Sequence, residues 1–352
     1  MSQKAILIIK KQIKSNFKQY YYCNFKLIIQ KGAIMKNVFI LLLLMIACNG
    51  FTQGHYNGSS FNPNDYFAPH EGFIIPVWYG YADMNYYNSS GQKSDQIITP
   101  QIGDPTVLNI KQNVKTHSFI LMAIYGGKGT IAGANWGMMI IPTLNSPTAS
   151  IALDYYSQQT GSGTYNFTNK SIGFGDMYIQ PIWLSWKKGN FQYAFNYGVW
   201  APTGKYEPNS LDNGGHGYWS QNIRVAMKYK PTTNINLSIA PTLEINHWQK
   251  HTDFKEGNHL TIDAGGSYLL NSRGDEVGLF GHYTQQISDD KGTGVHNTSD
   301  KIAGVGAFGS YWIVPKKIGA MLRVTQNFGA ESRFSGLAIQ TGINILIPNN
   351  HK

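Results

Sequence analysis

Residues 174–206 read FGDMYIQPIWLSWKKGNFQYAFNYGVWAPTGKY, two long strands joined by the tight polar turn Lys187-Lys188-Gly189-Asn190. In the second strand Phe191, Tyr193, Phe195, Tyr197 and Val199 alternate with Gln192, Ala194, Asn196, Gly198 and Trp200. One face is apolar and aromatic, the other mostly small and polar. Such a strand has lipid on one side, and the rest of the chain repeats the hairpin.

The formal charge of +10 suggests a polyanion-binding protein, but the charge is unevenly placed. Of 29 basic residues, eight lie within 1–53, where there is no acid; the 21 that remain face 19 acidic ones. The chain beyond the leader is near neutral, so no nucleic-acid partner is expected.

Starting at Met35, MKNVFILLLLMIACNGFTQG has one Lys, an apolar core from Val38 to Ala47, and then small and polar residues. That is the layout of a secretory signal peptide, and its apolar core is too short for a membrane helix, which needs about 20 residues. We therefore expect residues 1–34 to be an over-extension of the reading frame, the alternative being a real but disordered basic tail, 35–53 a signal peptide cleaved between Cys48 and Gln53, 54–71 a periplasmic entry segment or plug, and 72–348 the barrel. Met45-Ile46-Ala47-Cys48 is also a loose match to a lipoprotein cleavage site, with Cys48 as the residue lipidated. No cysteine follows Cys48, so neither disulfides nor thiolate metal sites are expected in the mature chain.

Only 14% of residues are charged, 38 are Gly and 22 are Tyr, and no later stretch is apolar for long enough to span a membrane as a helix. This is the profile of a transmembrane antiparallel up-and-down β-barrel, an all-β fold. Strands are expected at 73–87, 107–125, 130–156, 174–186, 191–202, 218–230, 235–247, 258–270, 276–287, 300–313, 318–328 and 334–347. Tight turns (126–129, 187–190, 231–234, 271–275, 314–317) alternate with mostly longer loops (157–173, 203–217, 248–257, 288–299, 329–333), after a first polar loop at 88–105. Short periplasmic turns, longer outer loops and an even strand count belong together in bacterial barrels. The parity holds at about twelve strands if 130–156, interrupted by Pro142 and Pro147, counts once; fourteen is the alternative.

Facing is clean in three strands. Ile235, Leu237, Ile239, Leu243 and Ile245 are expected toward lipid, with Asn236, Ser238, Thr242, Glu244 and Asn246 in the lumen. Ile223, Val225, Met227 and Tyr229 oppose Asn222, Arg224 and Lys228, and Leu337, Ile339, Ile343, Ile345 and Ile347 oppose Gln340 and Asn344. No lipid-facing position among these is charged, as a barrel in a bilayer demands.

Motifs of soluble chemistry fail on context. Gly304-Val305-Gly306-Ala307-Phe308-Gly309 fits G-x-G-x-x-G but lies inside a strand with no helix after it, so no dinucleotide and no other cofactor is expected. His247 and His251 have the i, i+4 spacing of helical metal ligands but sit at a strand end and in a loop, so no metal is expected. No G-x-S-x-G occurs, and no Ser/His/acid set falls together on a readable lipid face, so no catalytic residues are assigned and an enzyme is not expected. The polar luminal set is Arg224, Lys228, Glu244, His259, Asp263, His282, Gln286 and Arg323. Arg224 and Glu244 sit on the two strands of one hairpin, close enough for a direct or diagonal pair. The set reads either as a network filling a narrow barrel or as a constriction that selects what passes.

Over about 172–345 the chain resembles the family of the MetA pathway of phenol degradation (SphA-like). The resemblance rests on Gly175-Asp176 opening a strand that Trp186 closes, on Ala201-Pro202-Thr203-Gly204-Lys205-Tyr206 at a strand top, and on Gly217-Tyr218-Trp219. It continues through Asn246, Thr252-Asp253-Phe254-Lys255-Glu256-Gly257, Asp263, Gln285-Gln286 and Asp289-Asp290. It implies a barrel in the outer membrane of a Gram-negative bacterium that admits small apolar or aromatic solutes. The family brings no catalytic residues. The expected partners are outer-membrane lipid, such a solute and the barrel-assembly machinery. The last residues, Pro348-Asn349-Asn350-His351-Lys352, lack the terminal aromatic of many barrels, which moves the expected assembly signal into the last strand. A structural or surface-interaction barrel closed to solutes is the alternative function, and an outer-membrane hydrolase a third.

Overall fold

The computed structural model describes residues 54–56, 58, 62–93, 95–99, 106–157, 161–208, 210, 212–292 and 299–348. The strands, in chain order, begin with β1 (Gly72–Tyr87), β2 (Asp95–Thr99), β3 (Thr106–Leu121), β4 (Ala123–Gly126), β5 (Asn135–Ile141), β6 (Thr143–Ser157) and β7 (Gly161–Lys170). Next come β8 (Gly173–Phe174), β9 (Met177–Lys188), β10 (Phe191–Ala201), β11 (Ser220–Tyr229), β12 (Ile235–Asn246) and β13 (Phe254–Lys255). The last are β14 (His259–Leu269), β15 (Glu276–Gln286), β16 (Lys291–Gly292), β17 (Lys301–Val314), β18 (Ile318–Glu331) and β19 (Arg333–Pro348). Among the described residues there is no helix.

Several strands are pieces of one stave: β3 continues into β4 past Met122, β5 into β6 past Pro142, and β7 through β8 into β9. Counted so, twelve antiparallel staves close into a barrel, with β1 paired to β19 from Gly72↔Pro348 to Tyr87↔Arg333. Residues 130–156 therefore count once. Pro142 has no N–H to give the ladder, and the stave breaks there while its carbonyl still accepts from Leu121. The hairpin at 174–206 turns at Gly189, whose φ of 58° lies in the left-handed region that a two-residue hairpin turn asks of its first glycine.

Six expected connections differ. The loops placed at 248–257 and 288–299 contain β13 and β16, which pair with each other, and the loop placed at 329–333 shrinks to Ser332 between β18 and β19. The loop placed at 88–105 contains β2, which pairs with the outer end of β3. The loop placed at 157–173 contains β7, paired along its length with β6. Its sequence, GSGTYNFTNK, is rich in turn formers, and the pairing of Tyr165 and Phe167 with Leu153 and Ile151 supplies what local propensity does not. The turn placed at 126–129 runs on to residue 134, closed by the bridge Ile131↔Ala134, and β5 starts at Asn135.

The barrel is inside out relative to a water-soluble protein. Val225, Met227, Leu237, Ile239, Ile262, Leu279, Val305, Leu322 and Ile343 are exposed on the wall, while Asn222, Arg224, Thr242, Glu244, Asp263 and Arg323 are buried inside it. A closed barrel with an apolar belt and a polar interior is how chains cross the outer membrane of a Gram-negative bacterium, and that is where this one resides. The outer edge of the belt is visible on β3. Leu121 and Phe119 point outward and are apolar, but farther along the same face Lys115 pairs with Asp83 at 3.4 Å and Lys111 with Asp154 at 2.9 Å, all in contact with water. On the opposite face of these extended staves Leu108, Ala149, Ile151 and Leu153 are buried. The polarity of the wall reverses where it leaves the lipid.

Ile239 lies near the middle of β12 and faces lipid. Ile239→Arg is expected to cost about 2–4 kcal/mol of folding free energy, read from denaturant titrations of the barrel refolded into lipid vesicles, whereas Ile239→Leu should cost less than about 1.5 kcal/mol.

Candidate functional site in the lumen

The described residues from 54 to 68 lie inside the barrel. His55 sits at the outer end, where its backbone N–H and that of Tyr56 donate to Glu244 Oε1 and Oε2 at 2.7 and 2.9 Å. Tyr56 reaches down to donate its hydroxyl to Asp263 at 2.7 Å. By Pro63 and Asn64 the segment is near the periplasmic end, taking a hydrogen bond from Ser238 on the Pro63 carbonyl and giving one from Asn64 to Ser267. It rises so that the Tyr66 carbonyl accepts from Trp183 Nε1 at 3.0 Å and Asn196 Nδ2 at 3.1 Å, then leaves past Ala68, whose N–H donates to Ser185 Oγ. The wall glycines make room: a Cβ on Gly126 would stand 2.0 Å from the His70 carbonyl oxygen.

All eight residues of the expected luminal set are buried in the interior. They do not form one ring. The Arg224 guanidinium lies between the rings of Tyr56 and Tyr66, 4.7 and 4.8 Å from their centroids, and its Nε donates to Thr242. Lys228 lies over Phe67 at 4.3 Å, and Arg323 lies 5.7 Å from both Trp78 and Phe280. Such cation–π contacts are worth about 2 kcal/mol or more once water is excluded. Arg224 stands opposite Thr242 in the ladder and Asn222 opposite Glu244, so the expected Arg224–Glu244 relation is diagonal, and the Glu244 carboxylate serves the His55–Tyr56 backbone. His282 packs against Gly58, where a Cβ would come within 2.4 Å of the ring. His259 and Gln286 belong to a separate cluster at the outer rim, with Asp290 and Asp300.

The motif residues of the sequence converge on His55. Asp176 accepts from the Gly204 N–H at 2.9 Å and the His216 N–H at 2.6 Å, and its Oδ2 holds His55 Nε2 at 2.9 Å. Thr203 Oγ1 accepts from the Met177 N–H and donates to the Gly175 carbonyl. Gly175 and Gly204 are obligatory because a Cβ would meet Thr143 Oγ1 at 2.3 Å in one case and the Asp176 amide at 2.9 Å in the other. The Pro202 carbonyl accepts from Lys250. Gly257 donates its N–H to Asp290; Asp253 lies in the neighbouring loop beside Gly292, and Trp219 faces outward, half exposed. His247 and His251 are both exposed, His247 beside Gln221, and neither joins a metal-ligating group among the described residues. Cys48 lies outside the described residues.

His55 itself carries no sequence motif. Its Nδ1 lies 2.6 Å from Ser220 Oγ, and Ser220 donates to Asn246 Oδ1 at 2.7 Å. Burial alone would depress its pKa, but hydrogen bonds to Asp176 and Glu244 outweigh that and hold the imidazole at about 9. Neighbouring His216, its ring centroid 4.5 Å away, is pushed down to about 4 by burial and by the charge on His55. In the adjoining rim cluster, burial pushes the Glu256 carboxyl up to about 8.

A family model described as "Putative MetA-pathway of phenol degradation" matches residues 99–341. The fold is similar to that of an outer-membrane channel from Pseudomonas putida F1, with a TM-score of 0.60 at 12% identity over 82% of this chain and 100% of that one. A weaker likeness, TM-score 0.33 at 7% identity over 78% of this chain and 99% of the other, is to OmpT, an outer-membrane protein of Vibrio cholerae. No curated protein matches the chain.

Because the folded-state pKa of His55 is raised above 6.5, its contribution to holding the segment is complete below about pH 6.5 and is lost as pH climbs through about 9. Hydrogen exchange at the His55 and Tyr56 amides, corrected for intrinsic rate, should stay slow up to neutral pH and quicken toward pH 9; with His55→Gln it should be faster and independent of pH.

Proposed function

The chain belongs to the family of the MetA pathway of phenol degradation, whose model covers most of its length, and from that premise we propose that it is an outer-membrane uptake barrel for small apolar or aromatic compounds, held closed to water and ions at rest by residues 54–71. The observation that carries this reading is the aromatic cover over the luminal cations. Tyr56 and Tyr66 enclose Arg224, Phe67 covers Lys228, and Trp78 and Phe280 flank Arg323. A hydrophilic pore leaves such charges to water and to passing ions. Here the interior offers ring faces and a backbone that fills the space, which suits an apolar solute and excludes a hydrated one.

Such a solute needs a way past the segment. The β9–β10 ladder shifts register between Tyr197 and Val199 and stops at Met177↔Ala201. Beyond it the wall is completed by the 203–217 loop, through Lys205 N–H to the Phe174 carbonyl and Asn145 to the Gly214 carbonyl. Ile172 and Phe174 beside it are 70% and 66% exposed. This is where we place exit toward the lipid.

The reading is not enzymatic. Ser220, His55 and Asp176 have the residue types of a hydrolytic triad, but the proton traffic runs the wrong way. Ser220 gives its proton to Asn246, and a His55 protonated on both nitrogens donates to Ser220 and Asp176 and has no lone pair with which to act as base. The occupied lumen favours a second reading, a structural barrel closed to every solute.

Uptake by proteoliposomes separates the two. The folded wild-type barrel should take up a radiolabelled monoaromatic compound several-fold faster than empty vesicles while passing no measurable ion current, and His55→Ala, which loosens the segment, should raise both. Aromatic uptake at the empty-vesicle rate by wild type and variant alike would leave the structural reading standing.

A further inference from the structure

The outer rim holds a cluster that solute uptake leaves unused. Glu256 lies just ahead of β14, His259 opens that strand and Asp300 immediately precedes β17, and one ligand atom from each lies within 4.8 Å of the others. His259 Nε2 is 3.1 Å from Asp300 Oδ1 and 3.7 Å from Glu256 Oε1. Donors bound at about 2.0–2.2 Å around one zinc-type ion stand roughly 3–3.6 Å apart, so the His259–Asp300 pair is already spaced as neighbouring ligands, and binding would draw Glu256 Oε1 inward to join them. Each of the three residues is at most 1% exposed.

We propose that Glu256 Oε1, His259 Nε2 and Asp300 Oδ1 form a binding site for a divalent transition-metal cation of the zinc class. A second observation points to a ligand there. Glu256 Oε2 accepts from the Tyr218 hydroxyl, but Glu256 Oε1 is buried, directed at the cluster, and has no hydrogen-bond donor among the described residues. A buried carboxyl oxygen left without a partner carries an unmet desolvation cost, and a cation bound to it removes that cost.

The surroundings hold the donors as supporting residues hold metal ligands. Arg333 Nη1 lies 3.1 Å from each oxygen of Asp300. Asn246 Nδ2 donates to the Gly257 carbonyl at 2.7 Å and Asp290 accepts the Gly257 N–H at 2.7 Å, which fixes the loop carrying Glu256. Asn246 Nδ2 also lies 3.4 Å from His259 Nδ1, too long to dictate which ring nitrogen carries the proton. One imidazole and two carboxylates suit zinc, nickel, cobalt or manganese and not a thiol-seeking ion. Bound there, the cation would tie the 247–258 loop to β14 and β17 at the outer rim. The rival occupant of the same geometry is a proton, which would make His259 the cation between two acids.

The test uses the full barrel folded in detergent, stripped with EDTA, loaded with zinc and passed through a desalting column before metal analysis. Wild type should retain one zinc per chain, Glu256→Gln should bind at least tenfold more weakly, and the surface double variant His247→Ala/His251→Ala should bind as wild type does. No stoichiometric zinc on wild type, unchanged affinity in Glu256→Gln, or loss of zinc in the surface double variant each overturns the site. Heat-modifiable gel migration reports folding of every variant. Should Glu256→Gln fail to fold, X-ray absorption of the cobalt-loaded wild type decides: a single imidazole among oxygen donors upholds the site, and a shell with no imidazole or with two overturns it.

Discussion

In lipid no water is available to satisfy a backbone N–H or C=O, and everything else in this protein depends on how that requirement is met. The barrel meets it by pairing β1 with β19 along the full length of both strands, so that no wall edge is left open at the seam. Closure in turn fixes the alternation of side chains. Once Leu237 and Ile239 face lipid, Asn236, Thr242 and Glu244 have nowhere to go but inward. The barrel then holds many polar groups buried in its interior.

The segment ahead of β1 is the answer to that crowding. Its backbone and hydroxyls partner the inward carboxylates and amides: Glu244 takes the His55 and Tyr56 N–H groups, Asp263 takes the Tyr56 hydroxyl, and Asn196 and Trp183 share the Tyr66 carbonyl. Its rings cover Arg224 and Lys228. An interior polar enough for a pore is thereby made into a packed one.

The family motif has a structural meaning once the strands are in place. Gly175-Asp176, Thr203-Gly204 and the backbone at His216 are brought together at one corner of the outer rim, where the Asp176 carboxylate collects two backbone N–H groups and the His55 ring. The glycines are there because Asp176 leaves no room for a Cβ at Gly204 or Gly215. The motif anchors the lumen's contents to its mouth. The neighbouring Glu256, His259 and Asp300 do for the next staves what Asp176 does for this corner: they gather charge at the level where strands become loops.

What could be learned from the sequence alone followed from its periodicity. The alternation in residues 191–199 and 235–246 is a direct image of lipid on one side and polar interior on the other, so class, stave count, membrane location and the inward set around Arg224 and Glu244 were all legible. β7 was not, because Gly, Ser, Thr and Asn dominate it and only pairing with β6 makes it a strand. Nor was the role of His55, which has no motif around it and finds Asp176 and Glu244 across separations of 121 and 189 residues. Local alternation is set by the solvent on each face and is written into every strand. The meeting of His55 with Asp176, or of Glu256 with Asp300, depends on the curvature that brings staves around to one another, and that exists only when the barrel has closed.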